Sequence, residues 1–143
     1  HYISMNWDYI AGFFDGEGNI HILKVKGSKD DAPQLGVMVR IYQNSKDILE
    51  EMKIFLGCGT IYQKKSNGVF ELTFNKKENV KSFLSNLRGR AILKGGQIDY
   101  LLENYKFNRG ENNYGFDVDK FRSFITRKNT TKFRKLHTFS SQQ

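Results

Sequence analysis

The chain predicts an α+β fold, a four-stranded antiparallel sheet with helices packed on one of its faces, in the order α-β-β-α-β-β-α. Two features of the sequence predict it. Segments with apolar residues at three- and four-residue spacing are interleaved with two pairs of segments whose polarity alternates. Within each pair the connection is a polar or Asn-Gly stretch too short for a crossover, so the strands are antiparallel neighbours. Size agrees, because 143 residues with 38% hydrophobic content suffice for one domain with its own core.

Trp7 to Asp15 has helical spacing, with Asn6 as N-cap, and is expected to stop at the turn Gly16-Glu17-Gly18. Asn19 to Lys26 is rich in Ile and Val and reads as a strand, broken at Leu23-Lys24 by an expected bulge. Beyond a polar loop, Gln34 to Gln43 alternates cleanly, with Leu35, Val37, Val39 and Ile41 inward and Gln34, Met38, Arg40 and Tyr42 outward. Ser45 then caps a helix carrying Ile48, Leu49, Met52, Ile54, Phe55 and Leu56, which Gly57 ends. Thr60 to Lys65 and Val69 to Asn75 form a hairpin, with Asn67-Gly68 as its tight-turn dipeptide. Its residues Phe70, Leu72 and Phe74 share one face, leaving Glu71 and Thr73 on the other with Tyr62 and Lys64. Lys76 to Leu87 and Gln97 to Phe107 are two further helices around a loop at Arg88 to Gly96, and Val118 to Arg127 is a last amphipathic helix. Residues 5–116 are expected to form the core domain and 117–143 a basic extension.

Charge gives the first functional hint. With 23 Lys and Arg against 15 Asp and Glu, the chain carries +8 and has a pI near 9.6. Polyanions are the expected partners. Seven of those 23 cations fall from Lys120 onward, where no acid occurs, so the 16 before them nearly balance the 15 acids. Such a terminus is either a solubilising tail or a phosphate-binding arm. Cys58 stands alone, which excludes a disulfide framework and a Cys-based zinc site and suits a reducing interior. No apolar run approaches the roughly 20 residues that span a bilayer, and no signal-peptide pattern is seen, so an intracellular setting without a membrane partner is expected.

On the outward face of the predicted sheet stand His21, Lys24, Lys26, Gln34, Arg40, Tyr42, Tyr62, Lys64, Glu71 and Thr73. Mixed donors and acceptors on stiff strands suit base edges in a DNA groove. Periodicity alone describes an ordinary solvated sheet face equally well.

The nine residues Ile10-Ala11-Gly12-Phe13-Phe14-Asp15-Gly16-Glu17-Gly18 resemble the LAGLIDADG motif of homing endonucleases, and the predicted element order is similar to that family up to about Phe107. Ala11 and Gly12 are small, so the backbone of this helix can approach another closely. In the family, two such helices pack at the centre of a dimer or pseudo-dimer and bring their last motif acids together. The resemblance therefore implies an interface through Tyr9, Ile10, Ala11, Gly12 and Phe13, with Glu17 as the metal-holding catalytic acid beside Gly16. Two close carboxylates at helix C-termini repel one another, which a bound cation relieves. Mg²⁺ suits such oxygen ligands, and Mn²⁺ or Ca²⁺ can substitute in binding. The family more often has Asp where Glu17 stands.

Asp15 is assigned a structural part, accepting backbone hydrogen bonds, and Gly16 and Gly18 are expected to let a nucleic acid backbone come close. By the same resemblance Gln43 positions a water and Lys94 supports transition-state charge, with Arg90 and Gln97 as outer neighbours of the pocket.

A second motif is missing, since Phe107 to Glu111 and Tyr114 to Asp117 each lack the helix and the paired glycines. One motif supplies half a site. The resemblance then implies a two-fold homodimer that cuts both strands of a long, near-palindromic double-stranded DNA site to leave short 3′ overhangs and promote intron mobility. Arg127, Lys128, Lys132, Arg134 and Lys135 in the tail suit the flanking phosphates. Two alternatives belong to other functional classes, an RNA maturase that assists splicing and a non-catalytic DNA-binding regulator. An archaeal cytoplasm or an organelle is the expected location.

Overall fold

The computed structural model describes residues 5–25 and 34–124. Lys26 of the predicted sheet face and the tail residues Arg127, Lys128, Lys132, Arg134 and Lys135 lie outside the described residues. The elements run α1 (Trp7–Glu17), β1 (Gly18–Val25), β2 (Gln34–Gln43), α2 (Lys46–Leu56), β3 (Thr60–Gln63), β4 (Phe70–Phe74), α3 (Lys77–Leu87), α4 (Gly95–Asn104) and α5 (Val118–Ser123). All strand pairs are antiparallel in one sheet of order β1-β2-β4-β3. The predicted α+β fold is thus the observed one.

Asn6 caps α1, its side chain accepting the Tyr9 N–H at 2.8 Å. The helix does not stop at Gly16. Gly16 and Glu17 are helical, and the chain passes straight into β1 at Gly18, whose backbone is extended (φ −102°) and whose N–H donates to the Phe14 carbonyl. Gly18 is where it is because of Phe14: a Cβ there would fall inside the fully buried Phe14 ring. Internal packing is thus by itself enough to require a glycine here.

Pairing of β1 with β2 runs from Gly18↔Ile41 to Val25↔Gln34 without a skipped residue, so the expected bulge is absent. The apparent break in alternation has a simpler cause. Lys24 pairs with Leu35 and lies on the helix-facing side, exposed at the end of the sheet, while the partly buried Leu23 takes the other side. In the β3–β4 hairpin, Lys64 N–H bonds to the Val69 carbonyl at 2.8 Å and Gly68 N–H to the Lys64 carbonyl at 2.9 Å. This closes a wider loop over 65–68 than the two-residue turn expected, with Gly68 left-handed (φ 73°) and the Asn67 side chain accepting from Val69 N–H.

One side of the sheet presents Ile20, Ile22, Val37, Val39, Ile41, Leu72 and Phe74 to the helices. From the helices come Ile10 and Phe14, Leu49 and Met52, and Val80, Phe83, Leu84 and Leu87. Phe83 joins three elements, its ring centroid 5.2 Å from those of Phe14 and Phe74 and 6.0 Å from Trp7, all edge-on. Each such pair adds about 0.5–1.5 kcal/mol beyond area burial. α2 ends as predicted at left-handed Gly57 (φ 73°), though the Ser45 side chain makes no capping bond. α4 ends sooner than predicted. Tyr105 leaves the helix and donates its hydroxyl to the Leu35 carbonyl at 2.9 Å, tying this segment to β2.

α5 belongs to the body. Asp117 caps it by accepting from Lys120 N–H, Phe121 is 1% exposed in the core, and Phe124 lies against Gly96. The packed domain therefore reaches at least Phe124, and a boundary after Phe116 would cut through it.

Substituting Gly18→Ala should cost about 1–3 kcal/mol, the range for overpacking a filled core. Urea melts check this, and a midpoint equal to the native one would mean that Phe14 does not fill the space beneath Gly18.

Candidate active site

α1 has two faces with different work. Ile10, Ala11 and Phe14 are buried in the chain's own core. Tyr9, Gly12, Phe13 and Gly16 follow one another at helical spacing on the opposite stripe, with Tyr9 at 42% exposure and Gly12 and Gly16 open to solvent. This corrects the expected interface. Ile10 and Ala11, at 0% and 1% exposure, have no surface to offer a second chain, and Gly16 takes a place on the stripe. A Cβ at Gly12 or Gly16 would meet nothing within 4 Å. Nothing among the described residues requires a glycine at either position.

Glu17 ends α1 with its side chain exposed, and its carboxylate makes no hydrogen bond or ion pair with another described residue. Asp15 is committed elsewhere. Its carboxylate accepts the backbone N–H groups of Ile92 at 2.7 Å, Leu93 at 3.2 Å and Lys94 at 3.1 Å. The structural part expected for Asp15 is what is found, but the backbone it holds is the α3–α4 loop and not its own helix end.

Lys94 is half-buried beside the two acids. Its ammonium donates to the Asp15 carbonyl at 2.7 Å and sits 5.5 Å from the Phe14 ring centroid. Burial pushes the Lys94 amine below the usual lysine range, while the carboxylates of Asp15 and Glu17 pull it part of the way back. Gln43 closes β2 two residues past Ile41, the partner of Gly18, so the ends of β2 and α1 adjoin. Its side-chain oxygen accepts the Asn44 N–H at 2.7 Å, which leaves the amide NH₂ as the free end.

Two expected neighbours are elsewhere. Arg90 pairs with Asp8 at 3.1 Å, near the start of α1 and nine residues from Glu17, about 13 Å along the helix. Gln97 is 4% exposed within α4, its Nε2 without a partner among the described residues. Among the described residues, no group of three or more His, Cys, Asp or Glu gathers at one point. Of the two motif carboxylates at the end of α1, only that of Glu17 is left uncommitted among the described residues.

Register fixes the open face of the sheet. Arg40 pairs with Asn19 on one side and Thr73 on the other, Tyr42 pairs with Glu71, Tyr62 with Glu71, and His21 with Met38, so these side chains share the face away from the core. Gln34, exposed, has the same parity as Arg40. Lys64 follows, its ammonium 4.6 Å from the Tyr42 ring centroid and 4.0 Å from Glu71. Lys24 is the exception. The sequence reading missed Asn19 and Thr60, which share this face through their pairing with Arg40 and Thr73. An unbroken alternation counted from Gly18 would have found Asn19.

Arg40 Nε and Thr73 Oγ1 lie side by side across the β2–β4 pair, both shielded and without a partner among the described residues. The Tyr42 hydroxyl is pushed up by burial, with Arg40 and Glu71 acting in opposite directions on it. His21 is lowered, by burial first and then by the guanidiniums of Arg40 and Arg122.

The family model described as LAGLIDADG endonuclease matches residues 10–104, and the chain belongs to that family. Among solved structures, the homing endonuclease I-CvuI in complex with the I-CreI target is 25% identical, with a TM-score of 0.61 over 68% of this chain and 63% of that one. I-TnaI, also a homing endonuclease, is 21% identical with a TM-score of 0.61 over 71% of each chain. The meganuclease I-SmaMI, bound to uncleaveable DNA, is 19% identical with a TM-score of 0.61 over 72% of this chain and 37% of that one. The last two show the shared fold. The chain spans a little under two thirds of the I-CvuI chain it matches. No curated protein sequence matches it.

Because burial and two cations both oppose protonation, the His21 imidazole should titrate below 6.5. Removing one cation with Arg40→Gln should raise that midpoint while leaving it under 6.5, since burial is the larger cause. An NMR titration at or above 6.5 in the native protein would refute this account of the sheet face.

Proposed function

We propose that the chain acts as a homodimeric, metal-dependent homing endonuclease on a long, near-palindromic double-stranded DNA site. The observation that carries this reading is the stripe of exposed Tyr9, Gly12 and Gly16 with half-buried Phe13, which ends at Glu17, an acid without a hydrogen-bond or ion-pair partner among the described residues. Two copies of that stripe can meet across a two-fold axis with their backbones close, because Gly12 and Gly16 have no side chains to hold them apart. Each copy then contributes one glutamate near the axis.

The donor set fits a hard divalent cation. Glu17 offers carboxylate oxygens, and the Gly16 carbonyl lies past the Phe14 carbonyl, the acceptor that Gly18 N–H takes at the helix end. Mg²⁺ takes such oxygen ligands while keeping waters, and Mn²⁺ or Ca²⁺ can occupy the same ligands. I-CvuI has been crystallised with DNA in the presence of 2 mM Mg and of 2 mM Ca. When bound, the ion supplies the positive charge and water activation that phosphodiester hydrolysis needs.

The remaining steps belong to residues of this chain. Glu17 would hold the ion through its carboxylate oxygens. Gln43, its oxygen tied to Asn44, presents an NH₂ that orients a water or a phosphate oxygen. Lys94 places a half-buried ammonium where negative charge grows on the phosphate, and partial exclusion of water strengthens its effect. On the open sheet face, Asn19, His21, Gln34, Arg40, Tyr42, Tyr62, Lys64, Glu71 and Thr73 read base edges. Arg127, Lys128, Lys132, Arg134 and Lys135 add phosphate contacts outside the site. Cleavage of both strands leaves short 3′ overhangs and supports the spread of an intron that encodes the enzyme.

A pool of duplexes with two randomised half-sites related by two-fold symmetry tests the reading. The native protein should cut members of the pool with Mg²⁺ and none with EDTA. Glu17→Gln should bind the recovered duplex but cut it at least about 100-fold more slowly, beyond the 10–100-fold typical of an outer-shell residue. Cutting by that variant at the native rate would remove Glu17 from the mechanism. Replacing the open glycine with a bulky residue, Gly12→Leu, should leave the fold intact but yield monomers by sedimentation, and a dimer of native affinity would exclude this interface. Deleting the residues after Arg127 removes four cations per copy. The slope of log affinity against log salt should then fall by up to about 7 per dimer without a change in the cut position, and unchanged affinity would rule out a phosphate-binding tail.

A further inference from the structure

The backbone N–H groups of three consecutive residues converge on one carboxylate. Asp15 Oδ2 accepts from Ile92 and Leu93, and Oδ1 accepts from Lys94, so both oxygens are occupied by the loop between α3 and α4. Such a carboxylate is poorly placed to serve as a second metal ligand. The loop gives something in return. Lys94, 79 residues away in sequence, donates its ammonium to the backbone carbonyl of Asp15 itself. That carbonyl belongs to the last turn of α1, which contains no basic residue of its own. A cation at this end of a helix is favoured by the helix dipole. Side chain holds loop, and loop returns a side chain to the same residue's carbonyl.

The clasp leaves Lys94 little freedom. Its N–H is fixed by Asp15 Oδ1 at one end, and its ammonium by the Asp15 carbonyl at the other, over the Phe14 ring. Releasing the backbone end would free a long side chain, which would then have to lose its rotamer freedom again to reach the same place. We propose that Asp15 is a positioning residue, which holds the Ile92–Lys94 backbone against α1 so that the Lys94 ammonium stands two residues before Glu17, and which affects cleavage only through Lys94. The inference rests on the nuclease reading for its catalytic consequence and on hydrogen bonds alone for the clasp.

A double-mutant cycle reads the coupling. The native protein, Asp15→Asn, Lys94→Met and the pair are compared in single-turnover cleavage of the duplex recovered from the symmetric pool, at saturating protein. Each single change should slow cleavage by about 10–100-fold, the range for residues that orient a reacting group. In the Lys94→Met background, Asp15→Asn should add less than about threefold, and affinity for the duplex should change by less than about threefold in all variants. Multiplying effects, or a native rate for Asp15→Asn, would overturn the proposal. A measurement that needs no DNA accompanies it. In Asp15→Asn, the amides of Ile92, Leu93 and Lys94 should exchange with solvent at least about tenfold faster while those of β1 and β2 keep their native rates. Unchanged exchange at those three amides would overturn the clasp itself, whether or not any duplex is cut. Should Asp15→Asn fail to fold, Asp15→Glu, which keeps the charge and displaces it by one methylene, carries the same two measurements.

Discussion

The contact between the Phe14 ring and the bare backbone of Gly18 sets the geometry on which the rest depends. Because the ring occupies the space a side chain would need, α1 runs into β1 without an intervening loop, and its N–H bond to the Phe14 carbonyl closes the helix as the strand begins. The strand is in turn locked to β2 over its whole length by continuous pairing. Phe14 also meets Phe83, which meets Phe74 on β4, so the end of the motif helix is tied to the helical layer and the sheet at once. Glu17 stands one residue before this junction. Its position is therefore set by the core, although its side chain is outside it.

That arrangement explains which parts of the fold were legible in the sequence and which were not. Among the described residues, periodicity located the helices and inner strands because each buries one regular stripe against a common core, whereas β3, with only Ile61 partly buried, was legible through the Asn67-Gly68 turn that follows it. Periodicity failed where a residue's side is decided by position in the sheet and not by polarity. Lys24 is polar yet has the parity of Ile20 and Ile22, because the sheet outlasts the helices that cover it. Leu23 is apolar yet shares the open face with His21. Reading polarity as direction made a bulge out of two residues at an uncovered end. Ile10 and Ala11 show the same limit on a helix: the motif as a string does not say which of its small and apolar residues look inward, and the helical wheel places them with Phe14. Asp15 was legible as an acceptor of backbone hydrogen bonds, but its donors lie 77 to 79 residues downstream and no local pattern announces them.

Electrostatics at the end of α1 follow from the same packing. The C-terminus of a helix carries partial negative charge, and here Asp15 and Glu17 add two carboxylates to it. The fold answers with one cation, Lys94, supplied through the loop after α3 and drawn partly out of water against Phe14. Three N–H dipoles from that loop answer Asp15 as well. Glu17 feels the Lys94 charge but makes no hydrogen bond or ion pair among the described residues. Of the two carboxylates at the end of α1, Glu17 is thus the one whose oxygens are left without a direct partner among the described residues, where a cation from solution can reach them.

The glycines of α1 sharpen the argument. Gly18 is explained by the core, since a side chain would collide with Phe14. Gly12 and Gly16 are not, because no described residue of this chain occupies the space where their side chains would stand. A glycine inside a helix costs up to about 1 kcal/mol relative to alanine, and Gly12 lies mid-helix. A monomeric protein would gain stability by replacing it, with no clash to prevent the change. The cost is recovered only if something outside the chain approaches the α1 backbone more closely than a methyl group would permit. In the proposed dimer that object is a second α1: the same stripe, turned about a two-fold axis, presents the same bare backbone and the same flanking Tyr9 and Phe13 to its counterpart. On this reading the stability given up at Gly12 is the local cost of bringing two Glu17 carboxylates within reach of one phosphate-bearing duplex.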